Sequence, residues 1–176
     1  RSAHILSQTD TDLVVPIETH LQAEGMTLYT GTQIQQIKTA GGQHTIHFLH
    51  QAQPRHITAT SILQALGRRP NIDGLNLEGA QVATHRGSIQ VTMDMRTSQP
   101  NIFAVGDVNG LHEIVHIAIE QGEIAGWNAA HPDRPPKHYD DRLNTQVVFT
   151  DPQVASVGLS ERECLDRQLP YLVASY

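Results

Sequence analysis

The feature that most constrains the fold is an unbroken apolar run that ends in a glycine and an aspartate. The run Asn101–Val105 reads Asn-Ile-Phe-Ala-Val, begins after Pro100 and is followed by Gly106 and Asp107. Such a run is typical of a strand that is buried on both faces, as in the sheet of an α/β protein. We therefore predict a buried strand whose carboxyl end presents Gly106 and Asp107.

Two helices are predicted from apolar periodicity. The first runs from Asp12 to Glu24, and Gly25 lies where a C-terminal glycine is favoured. With Asp12 as N-cap, Pro16 would fall in the first turn, where its missing N–H is tolerated. The second helix runs from His112 to Ala130, and its small residues share one face.

Alternating apolar residues from Thr32 to Thr58 predict an antiparallel meander, with turns at Gly41-Gly42 and Gln53-Pro54. Ser160 is predicted to cap a short helix that carries Glu161 and Glu163. Further strands are predicted at Met26–Tyr29, Ser61–Leu66, Ser88–Val91, Thr145–Thr150 and Val154–Val157.

Charge and composition argue against several classes of partner. A net charge of −6 gives no reason to expect nucleic acid or an anionic membrane, and no apolar run approaches the roughly 20 residues that span a bilayer. With no basic-then-apolar leader, we expect a cytoplasmic protein. The single cysteine, Cys164, excludes an intrachain disulfide and a four-thiolate zinc site, and we interpret it as a packing residue.

The eleven histidines do not predict a metal site. His44, His47 and His50 are the closest set, at a spacing of three and three. On a strand, His44 and His50 share a face while His47 points the other way, so three imidazoles would not converge on one ion.

The strand end at Gly106 and Asp107 has the chemistry of a ligand site. Glycine leaves room for a ligand, and a carboxylate accepts hydrogen bonds from sugar-like hydroxyls. The following helix directs backbone donors and a partial positive charge to the same place, which suits a ring that becomes electron-rich on reduction, such as a flavin. The alternative is an ordinary turn after a core strand.

Five segments, in order along the chain, resemble signatures of the flavoprotein disulfide reductases, the FAD- and NAD(P)-dependent pyridine nucleotide-disulfide oxidoreductases. They are Ala65–Asn71, Arg96–Ser98, Ile102–Asp107, His116–Gly122 and Phe149–Leu159. The last resembles the opening of the family's dimer-interface domain. Within the family, Val115–Gly122 is more similar to dihydrolipoamide dehydrogenase than to glutathione reductase.

The resemblance implies roles for six residues. Asp107 would hold the ribityl chain of FAD, with Gly106 making room. The backbone at His116 and Ile117 would face the pyrimidine edge of the flavin. Gly67 and Arg68 would lie near the nicotinamide dinucleotide, although a solvated turn charge is the alternative interpretation of Arg68.

The resemblance also implies an α/β architecture in three segments. Residues 1–67 would end a partial Rossmann-type NAD(P)-binding domain that carries the meander. Residues 68–143 would be the second segment of the FAD-binding domain, and residues 144–176 would begin an α+β dimerisation domain. Both chain ends are expected to be cuts inside a larger, homodimeric protein.

The expected parent is an enzyme that passes electrons between a dithiol or disulfide substrate, FAD and NAD(P). The family's cysteine pair and catalytic His-Glu lie outside this sequence, so no catalytic residue is predicted, and the chain alone is expected to be inactive and to bind neither cofactor tightly. A relative of mercuric or glutathione reductase remains open. So does a non-catalytic module that binds nucleotide or dimerises.

Overall fold

The computed structural model describes residues 2–175, apart from the side chain of Leu143. Contacts divide the chain into two units: one holds the residues up to Ala65 and from Val147 onward, and the other holds Leu66–Gln146. The identities predicted for the three segments, divided after residues 67 and 143, stay predictions. The helices are α1 (Thr11–Ala23), α2 (Val115–Ala130) and α3 (Glu161–Asp166), and the strands are β1 (Thr32–Ala40), β2 (Gln43–His50), β3 (Gln53–Ala59), β4 (Thr84–His85), β5 (Ser88–Ile89), β6 (Thr145–Val148) and β7 (Val154–Val157).

Helix α1 begins earlier than predicted. Its N-cap is Asp10, so the prediction of Asp12 as N-cap is wrong. Asp12 lies in the first turn, where its carboxylate accepts from the N–H of Leu13 at 3.0 Å. Pro16 consequently lies inside the helix, and the backbone oxygen of Asp12 has no N–H from Pro16 to accept.

The end of α1 is as predicted. Gly25 has a φ of +95°, a conformation that glycine adopts without steric cost. The N–H of Gly25 donates to Gln22 O and that of Met26 to Leu21 O, both at 3.0 Å. This pair of bonds is the Schellman motif, which satisfies the last helical carbonyls.

The meander is confirmed, with one turn in a different place. Strands β1, β2 and β3 form an antiparallel sheet in that order. Gly41 and Gly42 make the first turn, both with positive φ. The second turn is at Gln51 and Ala52 rather than at Gln53-Pro54. Proline is tolerated there because β3 is an edge strand and Pro54 lies near its beginning.

An irregularity in β1 places its two isoleucines on the same face of the sheet. Residues three apart on a regular strand point to opposite faces. The register shift between Ile34 and Gln36 places Ile34 opposite Phe48 and Ile37 opposite Ile46. Because Phe48 and Ile46 share a face, both isoleucines lie on that face, as a β-bulge allows.

The remaining elements of this unit match the sequence. Strands β6 and β7 form a two-stranded sheet, and the boundary between the units passes through β6. Ser160 caps α3: its hydroxyl accepts from the N–H of Glu163 at 3.2 Å, and its own N–H donates to the Glu163 carboxylate at 2.9 Å. This reciprocal pair is the predicted capping box.

Three predicted strands are not strands. In Asn101–Val105, Phe103 makes an isolated bridge with Arg96. Ser61–Leu66 and Met26–Tyr29 make no ladder with any described residue. An apolar run indicates burial, whereas a strand also requires a neighbouring segment whose backbone N–H and C=O groups are free to pair with it. The burial prediction holds in part, since Ala104 is buried but Leu63 is 92% exposed.

The unit Leu66–Gln146 has two apolar clusters. One is formed by Met95, Ile117, Ile124, Ala125 and Tyr139, and the other by Val82, Ile89 and Ala104. Helix α2 begins at Val115 rather than His112 and contributes three members of the first cluster. No helix among the described residues is long and apolar enough to cross a bilayer.

Asn128 ties the segment after α2 back to the core. Its side chain is 2% exposed. The Nδ2 atom donates to Lys137 O at 2.9 Å and to Asp94 O at 3.0 Å, and Oδ1 accepts from Lys137 N at 2.8 Å. Two residues later, the N–H of Tyr139 donates to Met93 O.

We predict that Asn128→Ala lowers the free energy of unfolding by roughly 2 kcal/mol, because it removes three hydrogen bonds between a buried side chain and part-buried backbone groups. Urea denaturation followed by circular dichroism measures the change. Glu123→Ala, at an exposed position of the same helix, is the control. Equal midpoints for the two variants would contradict the role of Asn128.

A pH dependence is predicted for the capping box. The backbone N–H and the hydroxyl of Ser160 hold the pKa of Glu163 below its ordinary value. The stabilisation by Glu163 is therefore complete above the pKa of an unfolded glutamate, about 4.3, and is lost as the pH falls through the lower folded pKa. Denaturation at pH 7 and pH 3 should show a smaller pH effect in Glu163→Gln than in Asp166→Asn, the control in the same helix.

Candidate cofactor-binding site

The predicted site lies on a tight turn that packs against α2. Gly106–Asn109 form a 3₁₀ turn, and Gly106 is buried with a φ of +72°. A Cβ atom added to Gly106 would lie 3.1 Å from the Cβ of Ala118. Glycine at 106 therefore provides both the backbone conformation and the close approach of the turn to α2.

Gln121 fastens the turn to the helix. Its Oε1 accepts from Gly106 N and from Asn109 Nδ2, each at 2.8 Å. Asn109 Nδ2 also donates to Ala104 O at 3.3 Å. These groups are buried, so water does not compete for the bonds.

Arg68 joins two carboxylates at the outer side of the turn. Its Nη2 donates to Asp107 Oδ2 at 2.7 Å and its Nε to Glu113 Oε2 at 3.0 Å. The side chain of Arg68 is 60% exposed, that of Asp107 51% and that of Glu113 44%. Exposed ion pairs contribute about 0–1 kcal/mol, so a ligand that offers hydroxyl donors can compete with Arg68 for the Asp107 carboxylate.

The amino end of α2 lies next to Glu113. Its N-cap, Ile114, provides no side-chain cap, and the first helical bond is donated by Ala118 N to Ile114 O at 3.0 Å. The N–H groups of the first turn therefore have no partner within the helix, and they carry the positive end of the helix dipole. An electron-rich group is favoured at this end.

The side chains of His116 and Ile117 are used elsewhere. His116 Nε2 lies 3.0 Å from Thr145 O, and Ile117 is 2% exposed in the cluster with Met95 and Tyr139. The resemblance implies that the backbone of both residues, rather than their side chains, faces the flavin. Their contact with a flavin stays a prediction.

Gly67 and Arg68 belong to the same unit as Asp107. Gly67 has a φ of +115°, and no atom lies within 4 Å of an added Cβ, so conformation rather than crowding favours glycine there. The described contacts of Arg68 are ion pairs with Asp107 and Glu113, and its side chain is also 60% exposed, so the interpretation as a solvated turn charge stays open. Contact with a nicotinamide dinucleotide stays a prediction.

The residues present fit a flavin nucleotide. Gly106 lets the turn lie close to Ala118 of α2, and Asp107 on that turn offers a half-exposed acceptor for hydroxyls. Gln121 Nε2 is buried and has no hydrogen-bond partner among the described residues. A group or water with an acceptor atom would satisfy this donor, and both polar atoms of the Gln121 side chain would then be hydrogen-bonded.

Sequence reasoning missed Glu113, Asn109 and Gln121. Gln121 carried a signal, because it occupies the face of α2 that Ile117, Ile124 and Ala125 make apolar. A polar side chain on such a face is costly unless it is bonded, and it therefore indicates a specific partner. Glu113 and Asn109 gave no comparable pattern.

The histidines of the meander do not form a metal centre of three or more ligands. Among residues 2–175, no group of three or more His, Cys, Asp and Glu side chains could hold one ion. His44 is bonded to Thr39 and His50 to Thr30 O, and the ring of His47 lies 5.9 Å from that of His56.

Comparison with known sequences decides the family. The sequence pattern of the pyridine nucleotide-disulphide oxidoreductases matches residues 1–122, which include both Arg68 and Gln121. The chain belongs to this family. The match confirms the resemblance stated above, and it places the turn Gly106–Asn109 and the start of α2 within the matched region.

Two individual relatives show which members of the family the chain is similar to. A dihydrolipoyl dehydrogenase of Mycobacterium tuberculosis is 34% identical over 172 residues, which are 97% of this chain and 37% of the relative. A mercuric reductase of Staphylococcus aureus is 32% identical over 95% of the chain and 30% of its own length. The chain therefore spans about a third of the length of these relatives.

A solved structure shows the same fold. The crystal structure of LpdA from Mycobacterium tuberculosis superposes with a TM-score of 0.82 at 25% identity, over 94% of this chain and 35% of that one. The α/β fold predicted from the resemblance, with its antiparallel meander, is confirmed.

We predict that Gly106→Ala lowers the free energy of unfolding by about 2–3 kcal/mol, because positive φ and the contact with Ala118 act together. Gly87→Ala is the matched control: its φ is +83° but nothing lies within 4 Å, so we expect about 1 kcal/mol. Urea denaturation of both variants measures the difference. Equal losses would show that the approach of the turn to α2 is not tight.

Proposed function

We propose that the turn Gly106–Asn109 and the amino end of α2 hold the flavin of a pyridine nucleotide-disulphide oxidoreductase. The observation that supports this best is the half-exposed Asp107 carboxylate on a turn that Gln121 fastens to α2. A carboxylate accepts hydrogen bonds from the hydroxyls of a ribityl chain, and a helix amino end favours an electron-rich ring.

The residues of this chain divide the binding work. Asp107 accepts hydrogen bonds from the ribityl hydroxyls in place of its ion pair with Arg68. Gly106 leaves room for the ribityl chain. The backbone N–H groups of His116 and Ile117 stabilise negative charge on the ring. When bound, FAD supplies the electron transfer, and the protein supplies orientation and electrostatics.

The reaction proposed for the intact protein is electron transfer between a dithiol or disulfide substrate, FAD and NAD(P). Dihydrolipoamide is the favoured substrate because the chain is 34% identical to the dihydrolipoyl dehydrogenase of Mycobacterium tuberculosis over 97% of its length. The similarity to mercuric reductase favours a metal-ion substrate as the second candidate. Assays of the intact protein with dihydrolipoamide and with Hg²⁺ separate the two.

The domain assignment, assembly and location are part of the same proposal. Residues 1–67 would complete an NAD(P)-binding domain and residues 68–143 an FAD-binding domain. Residues 144–176 would begin a dimerisation domain, and the intact protein would be a homodimer in the cytoplasm. Light scattering and cell fractionation test the last two statements.

We predict that Asp107→Ala in the intact native protein lowers its FAD content at least tenfold, because the acceptor for the ribityl hydroxyls is lost. Flavin absorbance per protein measures the content. Asp73→Ala is the control. It removes a carboxylate of the same unit that is 87% exposed and makes a long ion pair, with 4.0 Å between its Oδ2 and Arg69 Nη2. Native flavin content in Asp107→Ala would refute the proposed function.

A further inference from the structure

Gln121 is a polar side chain in the middle of an apolar contact. It is 0% exposed and lies on the face of α2 that also carries Ile117, Ile124 and Ala125. Burial of an amide costs free energy unless its atoms are hydrogen-bonded. A residue of this type therefore acts through the bonds it makes.

Both described bonds of the Gln121 side chain are to the turn that carries Asp107. Oε1 accepts from Gly106 N, at the beginning of the turn, and from Asn109 Nδ2, at its end. With Oε1 facing two N–H donors, this orientation of the amide is the favourable one; the reverse would place NH₂ against both donors. Gln121 thus holds the turn at both ends, with Asp107 between them.

The backbone oxygen of Asp107 accepts from Gly110 N at 3.1 Å within the turn, but the described contact of its side chain is exposed. Its carboxylate is paired with Arg68, an exposed side chain whose other partner, Glu113, is also exposed. Such a pair is weak and can be replaced when a ligand arrives. The bonds of Gln121 are buried, and they persist whether or not Arg68 is displaced.

We propose that Gln121 is a positioning residue that holds Asp107 in its binding geometry before the cofactor arrives. The inference depends on the proposed role of Asp107 in FAD binding. Its physical content is preorganisation: a turn that is already in the bound conformation loses less conformational entropy on binding.

The test compares three substitutions in the intact native protein. Gln121→Met has a similar size but no acceptor oxygen, whereas Gln121→Glu keeps an oxygen that can accept both bonds. Asn109→Leu removes one of the two groups that donate to Gln121 Oε1. This variant replaces Gln121→Met in the test if Gln121→Met does not fold. Glu123→Gln, exposed on the same helix, is the control.

Two readouts are independent of catalysis. The first is the Kd for FAD, titrated into cofactor-free protein. The second is amide hydrogen exchange of Gly106 in the cofactor-free state. We expect Gln121→Met to weaken FAD binding at least tenfold and to accelerate exchange at Gly106. Asn109→Leu should be intermediate. Gln121→Glu should also be intermediate, because its oxygen keeps both bonds but a carboxylate is then buried. Glu123→Gln should stay within threefold of the native Kd.

The outcomes separate this inference from the proposed function. Native affinity and native exchange in Gln121→Met would overturn the positioning role while Asp107→Ala still loses FAD. Hydrogen exchange at Gly106 that is equally fast in Gln121→Met and Gln121→Glu would also overturn it, since the acceptor oxygen would then be irrelevant. Native affinity in Asp107→Ala as well would remove the proposed function itself.

Discussion

The close packing of the turn Gly106–Asn109 on α2 is the constraint on which the candidate site depends. A glycine with positive φ lets the turn approach Ala118, and buried hydrogen bonds from Gln121 hold it there. Arg68 contacts both Asp107 and Glu113, which shows that the Asp107 carboxylate lies near the segment that begins α2, and the proposed flavin site uses the carboxylate and the helix dipole together. Any change that lifts the turn from α2 would separate these two sources of binding energy.

Two kinds of bond do different work in this region. The buried bonds of Gln121 and Asn128 determine where the backbone runs, because water cannot replace them. The exposed contacts of Arg68 contribute little to folding, and they can be exchanged for contacts with a ligand. The region thus combines a fixed backbone with an exposed carboxylate whose partner can change, as the proposed binding of a cofactor requires.

Local patterns in the sequence located the helices, the meander and the capping box, although not the first residues of α1 and α2 or the second turn of the meander. Gly25 and Ser160 are governed by bonds to residues within a few positions, so their roles follow from the sequence alone. The prediction of a strand at Asn101–Val105 was wrong because pairing depends on a neighbouring strand, which an apolar run does not encode. The bulge after Ile34 could not be predicted for the same reason, since it exists only in relation to β2.

The candidate site was predictable only in part. Gly106 and Asp107 were recognisable by chemistry and resemblance, whereas the Arg68 contact joins residues 39 positions apart and Glu113 had no pattern to reveal it. The bonds between Asn128 and Lys137 have a consequence for the segment between them. They close the loop from His131 to Pro136 at its base, so its length is decoupled from the core. Loop-closure entropy grows only slowly with length, so evolution can lengthen or decorate this loop at little cost to folding.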